Sequence, residues 1–64
     1  MRYEIEIWQY HVMVENYKSN DIKEILEWFQ FNWKSICESG YAAFFVYKNS
    51  AELSLDELDR LGFY

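Results

Sequence analysis

The sequence predicts a small α+β domain in which one long helix packs on a small sheet. Two segments, residues 3–14 and 41–48, are rich in β-branched and aromatic residues, and the stretch between them repeats its apolar residues with helical periodicity. The chain has 64 residues, two glycines and no proline, so no linker divides it. We therefore expect one domain, residues 1–64, with the order strand, helix, strand, helix.

The first strand segment changes the phase of its alternation in the middle. Odd-numbered residues from Tyr3 to Ile7 are apolar, whereas from Trp8 onward the apolar residues take the other parity. Such a switch indicates either a bulge in one strand or a split into two short strands. We favour the bulged strand, because no Asn-Gly or Asp-Gly pair marks a tight turn there. Residues 16–20 are then expected to form a loop.

The long helix is expected over residues 21–38. Asp21 and Glu24 have the spacing of a capping box, and Gly40 stands where a C-cap glycine belongs. At 100° per residue the apolar side chains gather within about 120°, as a core-facing stripe does. That stripe consists of Ile22, Ile25, Leu26, Phe29, Trp33, Ile36 and Cys37.

The second strand segment, residues 41–48, is apolar on both parities, which predicts a strand covered on both faces or central in a sheet. Ser54 and Glu57 then form another capping-box pair, and Gly62 should end the short helix that follows. A crossover through the long helix would make the two strands parallel. Because two parallel strands make a poor sheet, we expect the first strand to split and supply a third. Otherwise the C-terminal segment or another copy of the chain should cover a sheet edge.

Charge and composition exclude several classes of function. The net charge of −5 argues against direct nucleic-acid binding, which needs a basic patch. An acidic surface suits a basic protein partner, although the same charge would also keep a small aromatic-rich protein dissolved. One cysteine and one histidine supply neither a disulfide nor a zinc cluster, and no apolar run is long enough to span a membrane. We expect a cytoplasmic protein with no metal, no cofactor and no membrane association.

Enzymatic activity is not expected. Glu4 and Glu6 share a strand face, but alternating acids on a strand are typical of a solvated surface rather than of an acid/base pair in a pocket. His11 has no serine or cysteine near it in sequence and is interpreted as a surface or edge histidine. Cys37 lies where the helix dipole disfavours a thiolate and is interpreted as a buried structural cysteine. No glycine-rich loop for a nucleotide is present.

Fourteen aromatic residues are the main resource for a core in so short a chain. A domain of this size buries only about 60% of the surface that its unfolded chain exposes, so few aromatic side chains can be left outside. For Trp8, Tyr10 and Tyr47 we favour packing in the core over exposure on an open sheet face.

The outward side of the long helix holds the candidate binding residues. Phe31 lies opposite the core stripe, and Trp28 lies about 60° from it on the flank. Large rings among acids resemble the apolar centre and polar rim of a protein interface. The alternative is that the strands, or Phe63 and Tyr64, fold over this flank and bury both rings. The predicted contact residues are Trp28, Phe31, Glu24, Glu27 and Glu38.

In size, acidity and aromatic content, including residues 28–33 and the acidic tail beyond Asn49, the chain resembles the small early proteins of bacteriophages. The resemblance implies a compact, non-enzymatic protein that inhibits or redirects a host protein that handles nucleic acid. It would act in the host cytoplasm by occluding a basic or apolar groove of that protein. A second hypothesis from the residues is a self-associating structural or regulatory homodimer that buries its aromatic surface between the copies.

Overall fold

The computed structural model describes residues 2–64, which form a four-stranded antiparallel sheet and two helices. This arrangement confirms the α+β prediction. The strand order across the sheet is β2-β1-β3-β4. In chain order the elements are β1 (Tyr3–Gln9), β2 (Val12–Ser19), α1 (Ile22–Glu38), β3 (Ala43–Lys48), β4 (Ala51–Glu52) and α2 (Leu55–Leu61).

The first strand segment is split into a hairpin of two strands, β1 and β2. This split agrees with the expectation that two strands alone would make a poor sheet. Tyr10 and His11 form the two-residue turn between β1 and β2, with φ angles of 52° and 68°. The single bulged strand was therefore the wrong alternative. The prediction of a loop over residues 16–20 was also wrong, because β2 continues to Ser19 and pairs with β1 over that whole length.

A bulge nevertheless accompanies the hairpin. Ile7 pairs with Glu15, but the next residue, Trp8, pairs with Met13, so Val14 is the extra residue on β2. The bulge shifts the register of β2 by one residue and lies in the strand at the sheet edge.

The prediction that the two long strand segments are parallel was wrong. The hairpin reverses the chain before α1 begins, so β3 pairs with β1 in the antiparallel sense. The crossover argument applies instead to β2 and β3, the strands that α1 connects. Each is antiparallel to β1, so they run in the same direction with β1 between them.

The two helices begin with related but unequal caps. At α2 both bonds of the capping box between Ser54 and Glu57 are present, and Gly62 ends the helix with a φ of 98° in the left-handed region. At α1 the Asp21 carboxylate accepts from the backbone N–H of Lys23 at 2.9 Å. Glu24 accepts from the Ser19 hydroxyl at 2.8 Å instead of closing the box, and that hydroxyl accepts from the Asp21 N–H at 3.1 Å.

The C-terminal end of α1 is bonded to the end of β1. Ser39, not Gly40, is the C-cap, and Gly40 follows with a φ of 147°. The Gln9 side-chain amide donates to the Ile36 carbonyl at 2.9 Å, and this carbonyl also accepts from the backbone N–H and the hydroxyl of Ser39. The ring of Tyr10 lies against Gly40, where any side chain would collide with it.

One core lies between the helices and a single face of the sheet, which we call the covered face. Ile5, Ile7, Ile25 and Val46 are fully buried there. Phe29 stands at the centre of an aromatic group, with ring centroids 4.5 Å from Phe44, 5.1 Å from Trp33 and 5.2 Å from Phe63. The remaining buried residues are Leu53, Leu58 and Phe63.

The core stripe of α1 is narrower than its sequence pattern. Ile25 and Phe29 are buried, whereas four other members are only half-buried: Ile22, Leu26, Trp33 and Ile36. Cys37 is exposed, so its interpretation as a buried cysteine was wrong. At 100° per residue Cys37 lies about 100° from the direction midway between Ile25 and Phe29, and it belongs to the last turn.

Candidate functional site

The outward side of α1 presents the candidate site, which we call the α1 outer surface and define by Glu24, Glu27, Trp28, Phe31 and Glu38. Phe31 is 86% exposed, the largest exposed fraction among the large apolar residues that the structure describes. Its direction on the helix is about 140° from that of the buried pair Ile25 and Phe29. The prediction that this ring faces water is confirmed by its exposure.

Trp28 is partly covered by the sheet. Its indole stacks on the ring of Tyr17 in β2, with centroids 5.4 Å apart and planes 3° from parallel. The C-terminal residues lie elsewhere, since Phe63 packs on Phe29 and the ring of Tyr64 lies 5.6 Å from Phe44. Neither a strand nor the C-terminus therefore covers Phe31.

A shallow depression connects most of these residues. Glu24, Glu27, Trp28 and Phe31 line it together with Tyr17 and Asn32. Glu24 is fixed by its bond from Ser19, and the Asn32 amide donates to the Trp28 carbonyl at 2.8 Å. Glu38 lies on the last turn, about 10 Å along the axis from Phe31, and does not line the depression. The structure thus brings together four of the five predicted contact residues.

A second aromatic surface lies on the other side of the sheet, which we call the open face. Because side chains alternate along a strand, Glu4, Glu6 and Trp8 point away from the covered face. Their partners on β3 point the same way, since Glu6 is opposite Phe45 and Glu4 is opposite Tyr47. The buried residues of both helices belong to the core on the covered face. The expectation that Trp8 and Tyr47 pack in the core was wrong, and Tyr10, in the hairpin turn, is also exposed.

The carboxylate of Glu6 organises the open face. Its Oε1 accepts from the Trp8 indole N–H and from the Tyr47 hydroxyl, each at 3.2 Å. Glu6 is half-buried, so the interpretation of Glu4 and Glu6 as an ordinary solvated face was incomplete. This arrangement could be predicted only from the register that places Glu6 opposite Phe45, and the sequence does not give that register until the strand partners are known.

The phenol of Tyr47 on the open face has a shifted pKa. Its pKa is raised above the ordinary value of 10.0, first by burial and then by the negative charge of Glu6 and the hydrogen bond to it. The charges of Glu52 and Glu4 act in the same direction. Three carboxylates therefore surround this phenol on the open face.

The residues considered for catalysis do not gather into one constellation. His11 lies in the hairpin turn, and Cys37 is exposed on the last turn of α1. In the part of the chain that the structure describes, no three residues of the metal-ligating types are grouped to hold a metal ion. No helix between residues 2 and 64 is long and apolar enough to cross a membrane.

Comparison with known proteins gives no relative for this fold and these surfaces: no family model, curated protein or solved structure matches the chain.

Proposed function

We propose that this chain is a small acidic protein-binding module that docks through the α1 outer surface. The partner presents an apolar pocket for Phe31 with basic groups around it for Glu24 and Glu27. Glu38 extends the acidic rim along the helix toward its C-terminal end. No catalytic step is part of the proposal.

The observation that carries the proposal is the 86% exposure of Phe31 in the middle of α1. Burying a phenylalanine side chain is worth about 1.5–3 kcal/mol, and a chain of this size has little stability to forgo. Aromatic residues at the centre of a patch with a polar rim are typical of the residues that dominate binding energy. The stacked pair of Trp28 and Tyr17 provides a preformed apolar wall beside that centre.

Occlusion is the mechanism that fits this surface. A ring inserted into a groove excludes its ordinary ligand, and carboxylates beside the ring can take the positions that a basic site reserves for phosphates. The net charge of −5 favours such a basic partner by long-range attraction. We propose an inhibitor or modulator of a protein that handles nucleic acid, in the manner of the phage early proteins that the sequence resembles, acting in the host cytoplasm.

A homodimer is the second candidate, and the unpaired edge of the sheet favours it. β2 pairs with β1 alone, so its outer edge has no strand neighbour in residues 2–64. Val12, Met13 and Val14 are exposed on this strand. Because Tyr17 of β2 also lines the depression, a copy that paired with this edge could reach Phe31.

The first experiment is light scattering coupled to size-exclusion chromatography, from about micromolar to millimolar protein. A monomer at every concentration would exclude the homodimer hypothesis, whereas a dimer that dissociates on dilution would support it. Affinity capture of a partner follows with the double variant Phe31→Glu, Trp28→Ala and with Leu55→Glu as the control. Leu55 is also an exposed apolar residue on a helix, 70% exposed, but it lies on α2.

We expect the wild type and Leu55→Glu to retain the partner and the double variant to lose it. Phe31→Glu alone should change the free energy of unfolding by less than about 0.5 kcal/mol, because the ring is exposed. Trp28→Ala should cost about 2–3 kcal/mol, because the half-buried indole loses its packing against the core as well as its stacking on Tyr17. A double variant that keeps its circular dichroism spectrum and still retains the partner would remove the α1 outer surface from the proposal.

A further inference from the structure

The open face of the sheet has its own binding geometry, independent of the α1 outer surface. Trp8 and Phe45 stand on neighbouring strands beside a cleft of about 380 Å³. This volume is within the range of small-molecule and side-chain pockets. The residues that line the cleft are Trp8, Tyr10, His11, Tyr41, Ala43 and Phe45.

Glu6 does not line the cleft, but it is next to both rings: it accepts from the Trp8 indole N–H and is opposite Phe45 on β3. Oε1 takes the bonds from both Trp8 and Tyr47, whereas no described residue donates to Oε2. No buried side-chain oxygen or nitrogen among the described residues lacks a partner. Oε2 is therefore not fully buried, and it belongs to a carboxylate whose direction is fixed by two neutral donors.

The charge of this region is negative and only partly compensated. Glu4 is opposite Lys18 on the neighbouring strand, so it has a cation within its own sheet. Glu6 is opposite Asn16 at the corresponding position, and its donors Trp8 and Tyr47 are uncharged. A cation is the complement of a fixed carboxylate that has no cation of its own, and aromatic faces beside it attract cations through their quadrupoles.

We propose that the open face binds an arginine side chain of a partner protein, with the guanidinium against the rings of Trp8 and Phe45 and hydrogen-bonded to Oε2 of Glu6. The planar guanidinium stacks on aromatic rings and donates in the plane to carboxylates, whereas the ammonium of lysine is more strongly hydrated and does not stack. A nucleobase would also stack on these rings, but its phosphates would meet the carboxylates of Glu4 and Glu6.

The test is an NMR titration of the whole chain with the peptide acetyl-Gly-Arg-Gly-amide. The matched control peptide contains citrulline, which has the shape of arginine without its charge. We expect the Trp8 indole N–H and the amides of residues 41–47 to shift with the arginine peptide. The citrulline peptide should bind about tenfold more weakly, because its ureido group keeps N–H donors but lacks the charge that strengthens their bond to a carboxylate.

Glu6→Gln is the variant that tests the contact, because the amide keeps an oxygen acceptor for Trp8 and Tyr47, removes the charge and replaces the Oε2 acceptor with an NH2 donor. It should weaken the arginine peptide about tenfold. Glu4→Gln removes the same charge from the same face and should have a smaller effect, at most about twofold, by screened attraction alone. Phe45→Leu should weaken binding about threefold through the lost ring.

Three results would overturn the proposal. Equal binding of the arginine and citrulline peptides would show that charge is not recognised. Equal effects of Glu4→Gln and Glu6→Gln would show that the peptide responds only to the net charge of the face and makes no specific contact with Glu6. Shifts of the Trp8 signal on dilution of the protein alone would assign the open face to self-association. The variant Phe31→Glu should bind the arginine peptide as tightly as the wild type does. The test of the open face is therefore independent of whether the α1 outer surface binds a partner.

Discussion

The two faces of the sheet use the same strands for different purposes. On β1 the residues Ile5 and Ile7 are 0% exposed beneath the helices, whereas Glu6, which lies between them, holds its carboxylate on the open face. On β3 the buried Val46 likewise stands beside Phe45. Alternation along a strand therefore separates residues that stabilise the domain from residues that are free to bind, although they are neighbours in sequence.

The largest expected effect comes from removing one ring on each face. Phe29→Ala empties the centre of the aromatic group and should cost about 3–5 kcal/mol of the free energy of unfolding. Phe45→Ala removes the same atoms from the open face, where one side of the ring meets water, and should cost about 1–2 kcal/mol. Urea unfolding followed by circular dichroism measures both.

Since a domain of 64 residues has about 3–10 kcal/mol in total, Phe29→Ala should already be partly unfolded in buffer. Equal losses for Phe29→Ala and Phe45→Ala would mean that the open face is covered in solution, by another copy or by a different arrangement of the helices.

A smaller effect is expected from a change of one methyl to a hydroxyl. Val46→Thr keeps the shape of the side chain but places a hydroxyl in the core, at a cost of about 1–3 kcal/mol. Val12→Thr makes the same change where the side chain is 59% exposed and should stay within about 0.5 kcal/mol. Thermal unfolding of the two variants compares them, and a loss at Val12 as large as that at Val46 would indicate that the edge of β2 is buried in a dimer.

The smallest effect concerns the pH dependence of the open face. The pKa of Tyr47 is raised in the folded state, so below pH 10 its contribution to stability is fully present. As the pH rises past 10, the unfolded chain loses this proton before the folded one does, and stability falls until the folded pKa is passed. Glu6→Gln removes a negative charge and should lower the pKa of Tyr47, though not to 10, because burial is the larger cause.

Tyrosine ring carbon shifts, followed by NMR against pH, measure this pKa directly, and Glu4→Gln is the control, since Glu4 is the weakest of the contributing charges. A larger decrease with Glu4→Gln than with Glu6→Gln would contradict the bond from Tyr47 to Glu6.

Both helices could be predicted because their signals are local. The capping box of Ser54 and Glu57 and the left-handed Gly62 depend on residues within a few positions of each other, and they formed as expected. At α1 the start was also correct, but the Glu24 carboxylate accepts from the Ser19 hydroxyl instead of completing the capping box. That partner belongs to a strand which the sequence pattern had assigned to a loop.

The sheet could be predicted less well because its signals are not local. Tyr10 and His11 turn the first hairpin in a conformation that usually selects asparagine or glycine, so no turn residue marked it. The β3–β4 turn has positive φ angles at Asn49 and Ser50. The strand that follows it, β4, is only two residues long, which is too short for an alternating pattern to mark it. For the candidate site, helical periodicity was enough to predict that Phe31 is exposed. The position of the Glu6 carboxylate among the open-face aromatic residues could not be predicted without the strand register.

The bond from Gln9 to the Ile36 carbonyl joins the end of β1 to the end of α1, 27 residues later in the chain. The same amide nitrogen also reaches the Ser39 hydroxyl at 3.1 Å, and Tyr10 rests on Gly40. These contacts join the hairpin turn to the last turn of the helix, and we expect the two to open together. Amide hydrogens in these two distant segments should exchange with solvent through the same opening event and at a common free energy.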